Sequence, residues 1–369
     1  MNPRALAVLA VVTVAVVVAA VVAVVRDPRA PTLVAEGEPA FPKLQGKVND
    51  VTEITVVHRD QKVVIVRTDK GWAVPEKHGY PAQVEKVREL ITGLEDLKLA
   101  EAKTTKADRY ARLEVEEPTG TEASSVRVTL KAGAEVLVDT IVGKRKYDLS
   151  QSGVAGTYVR GPSDQQAWLG RGEVDPGRNT QSWLQRKLMD VKKDRVRSYT
   201  LVHGDGEKVV ATRATAKDEN FKVESLAEGQ TMKSKGAADS VATTLAFLEF
   251  DDVKPAAAVK LPDQALVRAA FSTFDGLVVE AAIFEVDGDK WATFAARAGE
   301  AAPPPADEPK KDDKAKATPP ARKDRVVPVA EEIKAIAETA AAWVYKLPEF
   351  AVKNLTTRNA AFLPDKKDS

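Results

Sequence analysis

Apolar and polar positions alternate along residues 49–64 (NDVTEITVVHRDQKVV) and again along 194–210 (DRVRSYTLVHGDGEKVV). A period of two sends successive side chains to opposite faces, the pattern of a half-buried strand. Each stretch predicts two strands joined by a tight turn, and Asp205-Gly206 predicts a type I′ hairpin in the second. Gly71–Val74 (GWAV) and Asn220–Val223 (NFKV) each predict a third strand. The period then lengthens to that of a helix. Val84, Val87, Ile91 and Leu94 make one apolar stripe, with Pro81 expected in the first helical turn. Ala237, Val241, Leu245 and Leu248 make another.

Strand patterns return after each helix. The first block has 125–130, 134–142, 155–160 and 166–169; the second has 265–271, 277–286 and 290–296. Residues 299–325 carry many prolines and charges of both signs but no large apolar side chain, so they are expected to stay disordered. Beyond them, Ile333, Ile336, Ala340 and Trp343 predict a helix over 329–347, stopped by Pro348.

The two strand-and-helix blocks match position by position. Thr55, Val57, His58 and Asp60 fall on Thr200, Val202, His203 and Asp205, and one extra residue in the second turn aligns Lys62-Val63-Val64 with Lys208-Val209-Val210. The pattern predicts an α+β protein of two tandem similar units, each a mostly antiparallel sheet with a covering helix. The expected division is 47–191 for the first repeat and 192–369 for the second. A single fused double-sheet body is the other arrangement this pattern allows.

One segment follows neither period. Residues 5–25 (ALAVLAVVTVAVVVAAVVAVV) hold no charge, Gly or Pro, and Thr13 is their one polar side chain. As a helix the run is about 31 Å long, the thickness of a bilayer's hydrocarbon core. A cleaved signal peptide is the competing reading; its apolar core is shorter and ends in small residues, whereas Val24, Val25 and Arg26 follow here. The expectation is an N-terminal transmembrane anchor over 1–26 and a proline-bearing linker over 27–46. Arg4 and the terminal amine on one side are nearly balanced by Arg26 and Arg29, offset by Asp27, on the other. The short N-terminal tail favours an inside N-terminus and an extracytoplasmic body.

Composition narrows the chemistry. Lys plus Arg number 55 and Asp plus Glu 54, a net charge of +1, which gives no global attraction to nucleic acid. The absence of cysteine removes disulfides, thiolate metal sites and cysteine nucleophiles. His58 and His203 are expected as exposed residues flanking turns, and His78 as a loop residue, since no metal-ligand spacing surrounds them. Gly143-Lys144 lacks a phosphate-loop glycine ahead of it and reads as a turn. Glu114, Glu116 and Glu117 read as a solvated acidic loop. The basic stretch 187–197 (KLMDVKKDRVR) suits lipid headgroups, an acidic partner or plain solvated surface. Trp72, Trp168 and Trp291 sit in strand patterns and are expected in the core. Trp183 is expected there too, on a short helix, and Trp343 and Tyr345 packed back onto the sheet. No G-x-S-x-G elbow is present. No catalytic, cofactor-binding or metal residue is therefore assigned, and no cofactor is expected.

The order of many weak motifs carries a resemblance. It runs from the apolar span through V-N-D-V at Val48, G-W-x-V at Gly71, Y-P-A-x-x-x-K-V at Tyr80 and G-x-Y-V-R at Gly156. It continues with W-L at Trp168, S-W-L-x-x-x-L-M-D-V at Ser182 and W-V-Y-K-L-P at Trp343. This series resembles the bacterial membrane-anchored family called domain of unknown function 4340. The resemblance implies an auxiliary component of an ABC-type transport or gliding-motility-type exporter complex, in the bacterial cytoplasmic membrane with its bulk periplasmic. Its partners would then be the lipid bilayer, through the N-terminal helix, and separate permease and ATPase subunits. Two other functions stay open. One is a module binding an envelope polymer or small ligand in a groove between the repeats. The other is an envelope hydrolase, which needs converging acid, base or nucleophile groups.

Overall fold

The computed structural model describes residues 37–147, 156–302 and 327–364. The run 5–25 and residues 303–325 lie outside them. Among the described residues no helix is long and apolar enough to cross a membrane. The chain divides between Leu184 and Gln185 into two compact units. Both are built mostly from antiparallel strands with a few helices.

Unit 1 contains β1 (Glu53–His58), β2 (Gln61–Thr68), β3 (Gly71–Val74), β4 (Tyr80–Pro81), helix α1 (Val84–Glu95) and β5 (Lys98–Thr104). Helix α2 (Tyr110–Leu113), β6 (Val126–Ala132), β7 (Glu135–Lys146), β8 (Gly156–Arg160) and β9 (Ala167–Arg171) follow. One sheet joins them in the order β4-β3-β2-β1-β6-β7-β8-β9-β5. The alternation of β1 is observed: Ile54 and Val56 are buried, and Thr55 and Val57 lie on the other face. Helix α1 buries Val87, Leu90, Ile91 and Leu94, whereas Val84 is exposed. Pro81 is not in its first turn. It occupies the edge strand β4, where a missing N–H costs no ladder bond, and Gln83 precedes the helix. Gly143 is no turn either, because β7 runs through it to Lys146. A side chain there would strike the main chain at Leu113 and Glu114. Ahead of β1, Ala40 donates to Leu97 O (2.8 Å) and Leu44 is fully buried, so the end of the expected linker is fastened to the unit.

Unit 2 contains β10 (Lys187–Met189), β11 (Val196–His203), β12 (Lys208–Thr212), β13 (Lys222–Val223), α3 (Asp239–Ala242), β14 (Leu248–Glu249) and β15 (Asp252–Pro255). After them come β16 (Val267–Thr273), β17 (Leu277–Val286), β18 (Asp289–Ala298), α4 (Val329–Ala340), β19 (Trp343–Lys346) and α5 (Glu349–Leu355). The main sheet has the order β13-β12-β11-β16-β17-β18-β19-β15, and β10 pairs with β14 separately. Helix α4 lies against β18.

Three expectations change here. The helix through Leu248 stops at Ala242, because the hydroxyls of Thr243 and Thr244 both donate to Ser240 O (2.9 and 3.2 Å) and compete with helix bonding. Phe247 then turns into the left-handed region (φ 48°), and Leu248 joins a strand. The helix through Leu347 stops at Ala340, because the β-forming run Trp343-Val344-Tyr345 pairs with β15 and β18. Pro348 starts α5 instead of only ending a helix. The second hairpin loop spans three residues: His203 N bonds Glu207 O (2.9 Å), and only Gly206 takes a positive φ. That is the looped turn with a glycine bulge, not type I′.

Candidate functional site

The two matched histidines are tied to main-chain carbonyls. His58 Nδ1 lies 2.9 Å from Ser125 O, and His203 Nε2 lies 3.1 Å from Thr357 O. A carbonyl only accepts, so each ring donates there. His203 is buried, not exposed as its place beside a turn suggests, because the C-terminal segment covers it. His78 is exposed and left-handed (φ 57°). Among the described residues no group of His, Asp and Glu is placed to hold a metal ion.

The acidic cluster is only partly solvated: Glu117 is exposed, and Glu114 and Glu116 are half-buried. Glu116 Oε1 accepts from the Ser124 and Ser125 amides (2.6 and 3.2 Å). Its Oε2 is buried without a partner among the described residues, as is Ser125 Oγ. Glu117 takes Nη2 of the buried Arg160 at 2.7 Å. Arg160 also donates to the carbonyls of Val115 (2.9 Å) and Asp164 (3.0 Å), and it stacks on the Tyr110 ring at 4.5 Å. Glu116 therefore closes the segment 105–125 on its own end, and Glu117 ties it to Arg160 of the sheet. Ser125 is wholly buried, and His58 meets its carbonyl, not its hydroxyl, so these groups form no nucleophile and base pair.

The basic stretch borders a recess of unit 2, a cleft of about 920 Å³. Its charges are paired at close range. Arg195 forms double bonds with Glu332 (3.0 and 2.8 Å) and with Asp275 (3.1 and 2.8 Å), and these partners raise its pKa further. Lys193 bonds Asp239 at 2.7 Å. Between the paired charges the lining is apolar: Leu188, Phe247, Val327 and Ile336. Phe247 is 65% exposed and holds its left-handed backbone with its amide on Asp190 Oδ1 (3.2 Å), while Lys187 sits 5.1 Å over its ring. A non-glycine residue at positive φ costs about 1–3 kcal/mol, and such strain gathers at functional positions. An exposed aromatic held this way, beside paired charges, offers a ring to a docking group.

Sequence reasoning found the basic stretch and missed Phe247. Its signal is the run Phe247-Leu248-Glu249-Phe250, where adjacent apolar residues cannot both face inward: Leu248 and Phe250 are buried, so Phe247 is outside. The tryptophans divide. Trp183 and Trp291 are buried, and Trp72, Trp168 and Trp343 are half-buried. Trp183 ends a 3-10 turn that Asn179 caps on the Ser182 amide (2.9 Å). Tyr345 is buried and donates to Thr339 O at 2.6 Å, so it does pack back onto its unit.

A mostly antiparallel α+β protein with an aromatic-bordered cleft is the class these observations define. The model of the family "Domain of unknown function (DUF4340)" matches residues 72–266, more than half of the chain, and the chain belongs to that family. No curated protein and no solved structure matches it.

Proposed function

We propose that the chain is a non-enzymatic, membrane-anchored extracytoplasmic accessory protein that works with an ABC-type or gliding-motility-type membrane complex. The observation that carries this reading is the uncharged run 5–25 at the head of a chain that is 30% charged as a whole. The run matches a bilayer core and the body does not. The cleft of unit 2 supports a binding role, since its acids and bases are spent on one another and its exposed group is an aromatic ring. Permease and ATPase subunits are then separate chains, and the body lies in the periplasm with the N-terminus inside.

The reading includes two tandem copies of one unit, for which the sheets give several supports. Strands β3-β2-β1-β6-β7-β8-β9-β5 stand in unit 1 in the order that β13-β12-β11-β16-β17-β18-β19-β15 take in unit 2. Thr55 faces Thr129 as Thr200 faces Ala270. Arg67 donates to Asn49 O (2.5 Å), just ahead of β1, and Arg213 to Asp194 O (2.9 Å), just ahead of β11.

Affinity purification from gently solubilised membranes tests the reading. The expected result is recovery of a permease and an ATPase with the full chain. Their reproducible absence, with the anchor intact, overturns it.

A further inference from the structure

The face of each sheet that carries Thr55 or Thr200 presents a grid of side chains, and the two grids are finished differently. In unit 1 one row is Thr55, Thr129 and Asp139, and the next is Val57, Arg127, Ile141 and Arg160. In unit 2 the rows are Thr200, Ala270, Glu280 and Ala295, then Val202, Arg268, Ala282 and Thr293.

Unit 1 covers its grid with its own chain. Tyr110, Leu113 and Val115, from residues 105–125, cluster with Ile141 and Tyr158. Asp139 grips Arg127 with two bonds (2.8 and 2.7 Å). That hydrogen bonding, with the charges of Asp139 and Glu117, raises the Arg127 pKa, so the covering segment also brings a carboxylate toward this arginine.

The corresponding connection in unit 2, residues 256–266, is about half as long. Its Leu261 and Ala265 pack against Ala282 and Phe284. What stays open is a hollow of about 330 Å³ floored by the alanines and threonines of the grid. A second hollow of about 290 Å³ shares Val202 and Arg268 with it, so the recess is elongated. Arg268 is exposed and makes no ion pair among the described residues, because Glu280 is drawn to Arg297 at 2.9 Å. Small side chains stand where unit 1 has Ile141 and Arg160, and an unpaired guanidinium stands where unit 1 has a paired one.

We propose that this recess receives an extended segment of a partner protein, with a bulky apolar side chain over Ala270 and Ala282 and a following carboxylate on Arg268. On the matching face of unit 1, residues 110–117 lay down Tyr110, Leu113 and Val115 and bring the Glu117 carboxylate to Arg160, the neighbour of Ile141 in the same row. The proposal rests on the strand-for-strand correspondence of the two units inferred above. A guanidinium and carboxylate pair together with one seated apolar side chain gives both orientation and affinity.

A labelled peptide with the sequence of residues 107–118 is the probe, titrated by fluorescence anisotropy against the full chain in detergent. Saturable binding is expected. Arg268→Glu should weaken it at least tenfold, and Ala270→Leu, which fills the floor, should abolish it. Both substitutions lie on an open face and should leave the melting temperature unchanged. A peptide with Gln at the positions of Glu116 and Glu117 should bind as weakly to the wild type as the native peptide does to Arg268→Glu. No saturable binding to the wild type overturns the proposal, as does binding that neither substitution alters. A dimer in sedimentation that Arg268→Glu dissolves, without peptide binding, also overturns it in favour of a second copy. None of these results depends on membrane retention or co-purification, so failure here is separable from failure of the anchored-accessory reading.

Discussion

Arg213 shows what a single buried side chain does in this protein. Its guanidinium is buried, yet it bonds carbonyls and not carboxylates: Val196 (3.1 and 2.6 Å), Lys193 (2.7 Å), Asp194 (2.9 Å) and Asp218 (2.8 Å). Burial lowers its pKa while Asp194, Asp239 and Asp218 oppose the shift. Phe221 and Phe274 hold its flat faces at 4.7 and 5.5 Å. Arg213→Met keeps length and removes every donor, leaving carbonyls short of partners. The expected loss is about 3 kcal/mol or more, read by urea unfolding. A second residue-scale effect concerns pH. The Asn359 amide (2.8 Å) and the Arg358 guanidinium hold the Glu207 carboxyl below its ordinary value. A lowered folded-state pKa means that its stabilising contribution is present above the ordinary value of about 4.3 and is lost as pH falls through the folded value. Amide exchange at Asn359 should therefore accelerate below about pH 4 relative to the β11 amides. Glu207→Gln should remove that pH dependence, and an unchanged profile would exclude the mechanism.

At the scale of elements, legibility follows period and competition. β3 and β17 fall on the residues their patterns predict, because alternation and the flanking turn residues agree. The β19 run was illegible in isolation: Trp343-Val344-Tyr345 continues the apolar spacing of α4, and only pairing with β15 and β18 makes it a strand. Helix α3 is short because two adjacent threonines turn their hydroxyls onto Ser240, a competition that an apolar stripe does not register. The same turn makes Phe247 testable. Asn tolerates the left-handed region better than Phe, so Phe247→Asn should not lower stability and should raise it by up to about 1 kcal/mol. Retention of membrane partners on the full chain should nevertheless fall. A destabilised variant, or undiminished partner retention, would contradict the docking role of the ring.

At the scale of the whole molecule the mostly antiparallel α+β architecture was legible in the letters, and the sites less so. The pairing of Thr55 with Thr200 and His58 with His203 is visible in the letters. The contrast between Arg127 and Arg268 is not. Both follow a valine at the start of a strand, but only register shows that one meets Asp139 and the other an alanine floor. Glu117 likewise reads as one acid among three until Arg160, distant in sequence, meets it. At this scale the central claim is that an apolar rod holds a binding body outside the cytoplasmic membrane. The most direct measurement adds protease to intact spheroplasts expressing the full chain with a C-terminal tag. The account predicts that the tag is lost while the chain pellets with membranes through alkaline carbonate extraction. A tag protected until the cells are lysed, or a chain recovered in the carbonate supernatant, would contradict it.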